Sequence, residues 1–344
     1  MPSRSDPRVT HATTRRRLLG RLAAASAATA GASLSPWAWA QSADAFPAKE
    51  IKLIVPWNAG GSNDLAGRLL SQLLAEQGVK LVVENVPGAT GSIGMTRVAN
   101  AEPDGYTVGM GTSSTLALIA QGLTPLKNEQ FAPIARVTVD PLVLLVPTSA
   151  PTGTLENFVA HVKRNPGKVS VGIPGTNNLN HVFAVMTGRA AGTDVIAVPY
   201  TGGAKVIVDL AGKQVEAAVL KPSESKAQMD AGLVKPIGVF ANERLGAMPD
   251  IPTFREKGFD VFPYGPLVQM SYLVAPAATP PAVVERLTTI FSRAIQSAKF
   301  KAWAEGGGAV VDNLTGASLG REVNSVTRSL AEVGKKVFVS EKKS

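Results

Sequence analysis

Residues 51–70 read Ile51-Lys-Leu-Ile-Val-Pro-Trp-Asn-Ala-Gly-Gly-Ser-Asn-Asp-Leu-Ala-Gly-Arg-Leu-Leu. The first five residues are mostly apolar and β-branched and Pro56 ends the run, which is typical of a buried strand. Gly60-Gly61 allows a tight turn, and apolar residues then recur every fourth position. The stretch therefore predicts a strand, a glycine turn and a helix that Ser62 or Asn63 caps.

The start of this predicted helix is a candidate anion site. Backbone N–H groups without partners and the helix dipole both favour a carboxylate or a phosphate there. The alternative is an ordinary strand-to-helix turn that binds nothing. The stretch is not a P-loop, because no Lys-Ser/Thr pair follows the glycines, and it lacks the G-x-G-x-x-G spacing of dinucleotide-binding folds.

The first forty residues have the layout of an export signal. Thr14-Arg-Arg-Arg-Leu-Leu-Gly precedes an apolar run that is rich in Ala, Gly and Ser and ends at Ala38-Trp-Ala, so we expect cleavage after Ala40. The paired arginines resemble the twin-arginine signal of bacteria, and an ordinary secretory signal is the alternative. We therefore expect the mature protein in the periplasm.

The amino-acid composition limits the kinds of molecule that the protein is expected to bind. Loss of residues 1–40 removes six arginines and one aspartate and lowers the formal net charge from +9 to +4. The remaining sequence has no Lys/Arg-rich cluster, so we expect no nucleic-acid partner. The chain contains no cysteine, which excludes disulfides and thiolate chemistry. No apolar run after residue 41 reaches the roughly 18 residues of a membrane span.

Alternating strand and helix patterns continue along the chain and predict the α/β class, with mainly parallel sheets flanked by helices. The pattern begins again at the apolar run 141–147, which a helix near 155–164 follows. A chain of this size commonly forms two domains. We expect domain 1 to comprise residues 41–140 and 266–344, and domain 2 residues 141–265.

Residues suited to catalysis are scarce. There is no G-x-S-x-G motif and no spacing typical of a metal site, so we expect neither catalytic residues nor a bound metal. His161 lies on a predicted helix and suits a surface role. His181, at a helix start, suits either ligand binding or local packing. Trp57 and Tyr200 adjoin glycine turns and could line a pocket or pack in the core.

Four turns at predicted strand ends are rich in glycine, hydroxyl or amide groups. They are residues 57–62, 111–115, 174–181 and 199–203. Ligands of α/β proteins bind at the carboxyl ends of the strands. We therefore expect backbone N–H groups from two domains to hold one carboxylate in a shared cleft.

Several motifs also resemble one family, the periplasmic receptors of tripartite tricarboxylate transporters, often called Bug receptors. The matching motifs are Pro56-Trp-Asn-Ala-Gly-Gly-Ser-Asn-Asp, Glu84-Asn-Val-Pro-Gly-Ala-Thr-Gly, Pro103-Asp-Gly-Tyr-Thr, Asn165-Pro-Gly-Lys, Val198-Pro-Tyr-Thr-Gly-Gly-Ala, Asp230-Ala-Gly, Met248-Pro-Asp-Ile-Pro-Thr-Phe and Ala275-Pro-Ala-Ala-Thr-Pro. They occur in the family's order between residue 51 and about residue 281. The resemblance implies a type II periplasmic-binding-protein (Venus flytrap) fold, with two α/β domains joined by two crossing strands.

The resemblance also implies which residues face the ligand. They are Trp57, Asn58, Ala59, Gly60, Gly61, Ser62, Thr112, Ser113, Ser114, Thr115, Gly175, Thr176, Asn177, Asn178, Asn180, His181, Pro199, Tyr200, Thr201, Gly202 and Gly203. Two positions depart from the family pattern. Asn58 stands where a proline is usual, and Leu220-Lys221 lies near where many members carry an aspartate. The missing acid argues for a purely anionic ligand rather than an amino acid. We expect Lys221 to add positive charge to the cleft, unless it is a solvated surface lysine.

The expected function is therefore that of a periplasmic receptor for a small organic carboxylate, a di- or tricarboxylate or an aromatic acid. The resemblance implies delivery to the membrane permease subunits of a tripartite tricarboxylate transporter. No cofactor is implied, and we expect a monomer. The alternatives are an exported enzyme of carboxylate metabolism and a ligand-binding sensory module.

Overall fold

The computed structural model of the chain describes residues 46–263, 267 and 269–337. The predicted signal peptide, residues 1–40, lies outside these residues. The described strands are β1 Ile51–Val55, β2 Leu81–Asn85, β3 Thr107–Thr112, β4 Phe131–Val139, β5 Leu142–Pro147, β6 Ser170–Ile173, β7 Ile196–Pro199, β8 Ala217–Leu220, β9 Val234–Phe240 and β10 Met270–Pro276. The described α-helices are α1 Ser62–Ala75, α2 Ser92–Ala99, α3 Ser113–Ala120, α4 Leu155–Arg164, α5 Leu179–Ala190, α6 Gly203–Ala211, α7 Pro222–Asp230, α8 Pro281–Ile295, α9 Ala298–Gly306 and α10 Gly316–Val337.

The strands form two sheets of five, with the orders β2-β1-β3-β10-β4 and β7-β6-β8-β5-β9. In the first sheet β1 is parallel to β2 and β3, and β10 is antiparallel to both of its neighbours. The second sheet repeats this arrangement, with β5 as the reversed strand. Each sheet therefore has one strand that runs against the other four, which confirms the predicted mainly parallel α/β class.

Two connections link the sheets. Strand β4 continues almost directly into β5, and the chain returns from β9 to β10. We call the first sheet with its helices lobe 1, and the second sheet with its helices lobe 2. The predicted domain boundary at residue 140 falls between β4 and β5, and the boundary at residue 265 falls on residues outside those described. The division into domains remains a prediction.

Each lobe has an apolar core between its sheet and its helices. In lobe 1, alternate residues of β1 point to opposite faces, and Leu53 and Ile54 are both fully buried because helices cover both faces. In lobe 2, the rings of Phe183 and Phe254 stack on Phe240 with centroid distances of 4.6 and 4.4 Å. These cores fix the strand ends from which the site is built.

The predicted helix at 155–164 is confirmed as α4, whose N-cap Thr154 accepts a hydrogen bond from the Asn157 N–H. The predicted cap of α1 is wrong. The N-cap is Gly61, and both Ser62 and Asn63 lie inside the helix. The tight turn depends on Gly60, whose φ of +84° is strained for any residue with a side chain, whereas Gly61 has an ordinary φ of −77°.

Candidate functional site

A cavity with a volume of ≈ 30 Å³ lies where the strand ends of the two lobes meet. A water molecule needs about 10–15 Å³ by this measure, so the cavity has room for about two waters. The lining residues come from both lobes and from the returning chain before β10. They are Trp57, Asn58, Gly61, Ser62, Asn63, Thr112, Ser114, Pro174, Asn180, Gly202, Gly203, Ala204, Lys221, Glu224 and Gln269.

Five helices begin at this cavity: α1 and α3 from lobe 1, and α5, α6 and α7 from lobe 2. The first N–H groups of a helix have no carbonyl one turn earlier to bond, and the helix dipole places about half a positive charge at that end. The cavity therefore combines positive partial charges from both lobes. Such an arrangement favours a negatively charged ligand.

Three of the lining residues have a buried polar atom with no hydrogen-bond partner among the described residues. These atoms are the indole Nε1 of Trp57, the hydroxyl oxygen of Thr112 and the side-chain oxygen of Gln269. Thr112 is 1% exposed and Gln269 is 7% exposed. Most buried polar groups in proteins have a partner. These atoms therefore indicate a polar ligand or bound water, and Trp57 and Thr112 can both donate to a carboxylate.

The turn before α1 is held by a buried carboxylate of the chain itself. Asp64 Oδ2 accepts hydrogen bonds from the Gly60 N–H and from Arg68 Nε, each at 2.9 Å. Asn85 Nδ2 donates to the Trp57 carbonyl at 3.1 Å. Burial raises the pKa of Asp64, but the bonds from Arg68 and Gly60 outweigh it and leave that pKa below its usual value. The Gly60 N–H is therefore already used, and the ligand-facing groups of α1 begin at Gly61.

Lys221 is at the cavity but is not the free cation that the sequence suggests. Its Nζ lies 2.9 Å from Asp140 Oδ2, and the two side chains are 5% and 4% exposed. Asp140, between β4 and β5, also accepts a hydrogen bond from the Thr138 hydroxyl at 2.7 Å. Lys221 is therefore neither a solvated surface lysine nor an unpaired positive charge. Its charge is balanced before any ligand binds.

A second acid, Glu224, lies beside this pair at the third position of α7. Its Oε2 accepts a hydrogen bond from the Lys221 N–H at 3.3 Å, and its Oε1 accepts one from the Ser62 hydroxyl at 3.4 Å. Burial raises the pKa of Glu224, and the Lys221 ammonium opposes this rise. The sequence-based inference that the missing aspartate implies a purely anionic ligand is therefore not supported, because Asp140 and Glu224 bring two acids to the same place.

Direct hydrogen bonds join the lobes across the cleft. Asn58 Nδ2 donates to Thr201 Oγ1 at 3.0 Å, and Gln121 Nε2 donates to the Asn177 carbonyl at 2.9 Å. The Thr90 hydroxyl donates to the Thr176 carbonyl at 3.3 Å, and the Ser62 hydroxyl donates to Glu224 at 3.4 Å. The structure is therefore the closed arrangement of the two lobes.

The structure places some of the predicted site residues in the lining of the cavity and others outside it. Those at the cavity are Trp57, Asn58, Gly61, Ser62, Thr112, Ser114, Asn180, Gly202, Gly203 and Lys221. Those outside its lining are Ala59, Gly60, Ser113, Thr115, Gly175, Thr176, Asn177, Asn178, His181, Pro199, Tyr200 and Thr201. As ligand-binding residues, all of them remain predictions.

Several residues outside the lining have clear structural contacts. Asn178 is the N-cap of α5, where its side chain accepts from the His181 N–H at 2.9 Å. His181 Nδ1 accepts from the Asn177 N–H at 3.1 Å. Tyr200 packs against the lobe 2 core, and burial, with a nearby Asp209, raises its pKa. His161 forms a partly exposed pair with Glu216 at 2.8 Å, which places it away from the cavity.

The sequence reasoning missed five lining residues: Asn63, Pro174, Ala204, Glu224 and Gln269. Asn63 and Ala204 adjoin predicted positions, and Pro174 begins the predicted turn 174–181. Glu224 was missed because helix α7 was not predicted, although Lys221-Pro222 followed by Glu224 has the spacing of a capped helix start. Gln269 carries no sequence signal, since only the return of the chain to β10 brings it to the cavity.

No group of three or more His, Asp or Glu side chains in the described part of the chain could hold a metal ion. Among the same residues, no helix is long and apolar enough to cross a membrane.

Comparisons with known proteins agree with the geometry. The family model described as "Tripartite tricarboxylate transporter family receptor" matches residues 67–316. A UPF0065 protein of Bordetella pertussis (strain Tohama I) is 35% identical over 248 residues, which cover 71% of this chain and 76% of that protein. The structure of the periplasmic binding protein BugD is similar with a TM-score of 0.80 at 28% identity, covering 86% of this chain and 99% of BugD. MatC from Rhodopseudomonas palustris, solved with bound malate, has a TM-score of 0.77 at 27% identity and covers 84% of this chain and 100% of its own. These likenesses confirm the predicted two-domain periplasmic-binding-protein fold.

Proposed function

Because the chain belongs to the receptor family of tripartite tricarboxylate transporters, we propose that it binds a small organic carboxylate between its lobes and delivers it to a transporter permease. Members of this family are periplasmic solute-binding proteins, and MatC was solved with malate. The proposed site is the cavity lined by both lobes, and its donors are the helix starts with Trp57 and Thr112. The chain binds its ligand and releases it unchanged, as a monomer.

The observation that carries this proposal is the convergence of five helix starts on one cavity together with two unpartnered donors, Trp57 Nε1 and Thr112 Oγ1. Hydrogen bonds to an ionised acceptor are about twice as strong as bonds between neutral groups. A carboxylate between the lobes would accept from both donors and from N–H groups at the helix starts. A neutral amide of the same shape would gain much less from this field.

The test is a thermal-shift panel of mono-, di- and tricarboxylates and aromatic acids, with the matching amides as controls. A ligand at about a hundred times its dissociation constant adds about 2.7 kcal/mol to the free energy of unfolding. Each kcal/mol raises the melting temperature of a protein of this size by about 2–4 °C. We therefore expect shifts of several degrees for a few acids and none for their amides. Equal shifts for acids and amides would contradict the proposal.

Two further measurements address binding without chemistry and delivery. Mass spectrometry of the protein after incubation with its acid should return that acid unchanged, whereas a new product would indicate an enzyme. Cells lacking the gene should lose uptake of the same acid, and the wild-type gene should restore it. Normal uptake with a lost transcriptional response to the acid would indicate a sensory module instead.

Export through the twin-arginine pathway is part of the proposal. Replacing Arg16 and Arg17 by lysine keeps the positive charge of the signal but removes the arginine pair. We expect the variant to remain in the cytoplasm, while an Arg4→Lys control reaches the periplasm. Normal export of the double variant would indicate the ordinary secretory route.

A further inference from the structure

Glu224 is unusual because it places an acid in a cavity whose helix starts favour anions. Its carboxyl lies between the start of α1, where Ser62 donates to it at 3.4 Å, and its own helix start, where the Lys221 N–H donates at 3.3 Å. Both distances exceed the usual ranges of about 2.7–3.2 Å for N–H···O and about 2.5–3.0 Å for O–H···O bonds, so both bonds are weak. The carboxyl therefore keeps acceptor capacity that a ligand can use.

Gly203 adds an independent observation. A Cβ atom at Gly203 would lie 2.6 Å from the carboxyl carbon of Glu224 and 2.7 and 2.8 Å from its two oxygens. Real Cβ atoms do not approach other atoms this closely, so only glycine at the first position of α6 lets the carboxyl lie there. The chain thus holds Glu224 at the cavity from three helix starts, those of α1, α6 and α7.

The charges around Glu224 leave it without a cation of its own. The nearby ionisable groups are Lys221 and Asp140, which are already bonded to each other at 2.9 Å. From α1 and α6 it is faced by Ser62 and Gly203, which do not ionise. A second ionised carboxylate on the ligand would meet Glu224 with no positive side chain to separate them. A donor on the ligand would meet a carboxyl that has room for one more bond.

The buried atoms without hydrogen-bond partners also favour a donor on the ligand in addition to its carboxylate. Trp57 and Thr112 offer donors for the ligand carboxylate, while Gln269 presents a buried oxygen that lacks a donor. The cavity therefore fits a small molecule that carries both a hydrogen-bond acceptor and a hydrogen-bond donor. A ligand with ionised carboxylates at both ends supplies acceptors alone.

We propose that Glu224 determines the ligand class: the cleft binds an organic acid whose second polar group is a hydrogen-bond donor, a hydroxyl or an ammonium, and Glu224 accepts the hydrogen bond from that donor. This inference rests on the proposed carboxylate-binding function. It replaces the dicarboxylate or tricarboxylate expected from the sequence with a hydroxy acid or an amino acid.

The test is isothermal titration calorimetry with acids that differ only at the far end. At four carbons these are butyrate, 4-hydroxybutyrate, 4-aminobutyrate and succinate, and the same four end groups are compared at three, five and six carbons. At the best chain length we expect the hydroxyl- or ammonium-ended acid to bind about 10- to 100-fold more tightly than the methyl- and carboxylate-ended acids, which is the range for a hydrogen bond to a charged group.

The matched variants are Glu224→Gln at the cavity and Glu243→Gln, which removes an exposed acid of lobe 2. Glu224→Gln should lose the preference for the donor and bind the dicarboxylate at least about as tightly as the hydroxy acid, because the amide N–H₂ group can donate to the second carboxylate. Glu243→Gln should keep the wild-type order. If Glu224→Gln fails to fold, Gly203→Ala provides the second variant, since its methyl group must displace the carboxyl and should abolish the same preference.

The outcomes separate this inference from the proposed function. If wild-type protein binds dicarboxylates as tightly as donor-ended acids at every chain length, or if the order survives Glu224→Gln, the role of Glu224 is wrong and carboxylate binding stands. If no acid of the four-way series or of the wider carboxylate panel binds, both proposals fail.

Discussion

The buried pair of Lys221 and Asp140 gives the sharpest prediction for stability. Their charged atoms lie 2.9 Å apart with side chains 5% and 4% exposed. Removing one partner of a buried pair leaves the other charge uncompensated and costs about 3–5 kcal/mol. At about 2–4 °C per kcal/mol, Lys221→Met should lower the melting temperature by about 6–20 °C.

The assay is chemical and thermal unfolding of Lys221→Met, Asp140→Asn and the double variant, with Lys226→Met as the matched control. Lys226 pairs with Asp230 at 3.0 Å, but both side chains are more than half exposed. An exposed pair contributes about 0–1 kcal/mol, so the control should change little. The double variant should be less destabilised than the sum of the single variants, because no charge is left unpaired. Single variants that each cost less than about 1 kcal/mol would refute the reasoning.

Three other predictions use matched variants. Trp57→Phe should weaken binding of the preferred acid by about 1.5–3 kcal/mol through loss of the indole donor, while Trp303→Phe, outside the cavity, should not; equal affinities by calorimetry would place Trp57 outside the site. Burial raises the pKa of Glu224 above 4.5, so the folded protein holds this proton more tightly than the unfolded chain does. The melting temperature of the wild type, measured relative to that of Glu224→Gln, should therefore fall as the pH rises from about 4.5 through the raised pKa. A rise in this difference would mean that the folded carboxyl favours its charged form. Gly60→Ala should destabilise the protein by about 1–2 kcal/mol since φ is +84°, whereas Gly61→Ala, at −77°, should be nearly neutral in denaturant unfolding.

Local patterns account for most of the architecture. Strand β1 and helix α4 follow from apolar periodicity and end signals that lie within a few residues. Strand β4, Phe131–Val139, was not predicted. It contains Pro133 and Arg136, and Arg136 is held by Asp312, which is far away in sequence. A proline and a charged residue weaken a strand signal, and only the folded sheet restores it.

The candidate site was less predictable because it, too, depends on residues that are far apart in the sequence. The strand-end turns could be located, since carboxyl ends of parallel strands meet at one edge of each sheet. The partner of Lys221 could not, because Asp140 lies in the crossing between β4 and β5, eighty-one residues earlier. Helix α7, Pro222–Asp230, has no apolar stripe and so gave no helical pattern, which hid Glu224. The sequence thus indicates where a ligand binds more readily than which charges it meets.

Three hydrogen bonds across the cleft oppose separation of the lobes. Two of these bonds are exposed and join neutral groups, Asn58 to Thr201 and Thr90 to Thr176. The third, from Gln121 to Asn177, is partly buried. Each such bond contributes about 0.5–1.5 kcal/mol, and exposed bonds fall at the low end. These three bonds together contribute a few kcal/mol, less than the roughly 5.5 kcal/mol that moves a two-state equilibrium from 1:99 to 99:1. Since the closed cavity of ≈ 30 Å³ is too small for a four-carbon acid, these bonds must loosen to admit one. Bonds of this strength suit a receptor, because the ligand's own bonds to both lobes then add substantially to the stability of the closed cleft.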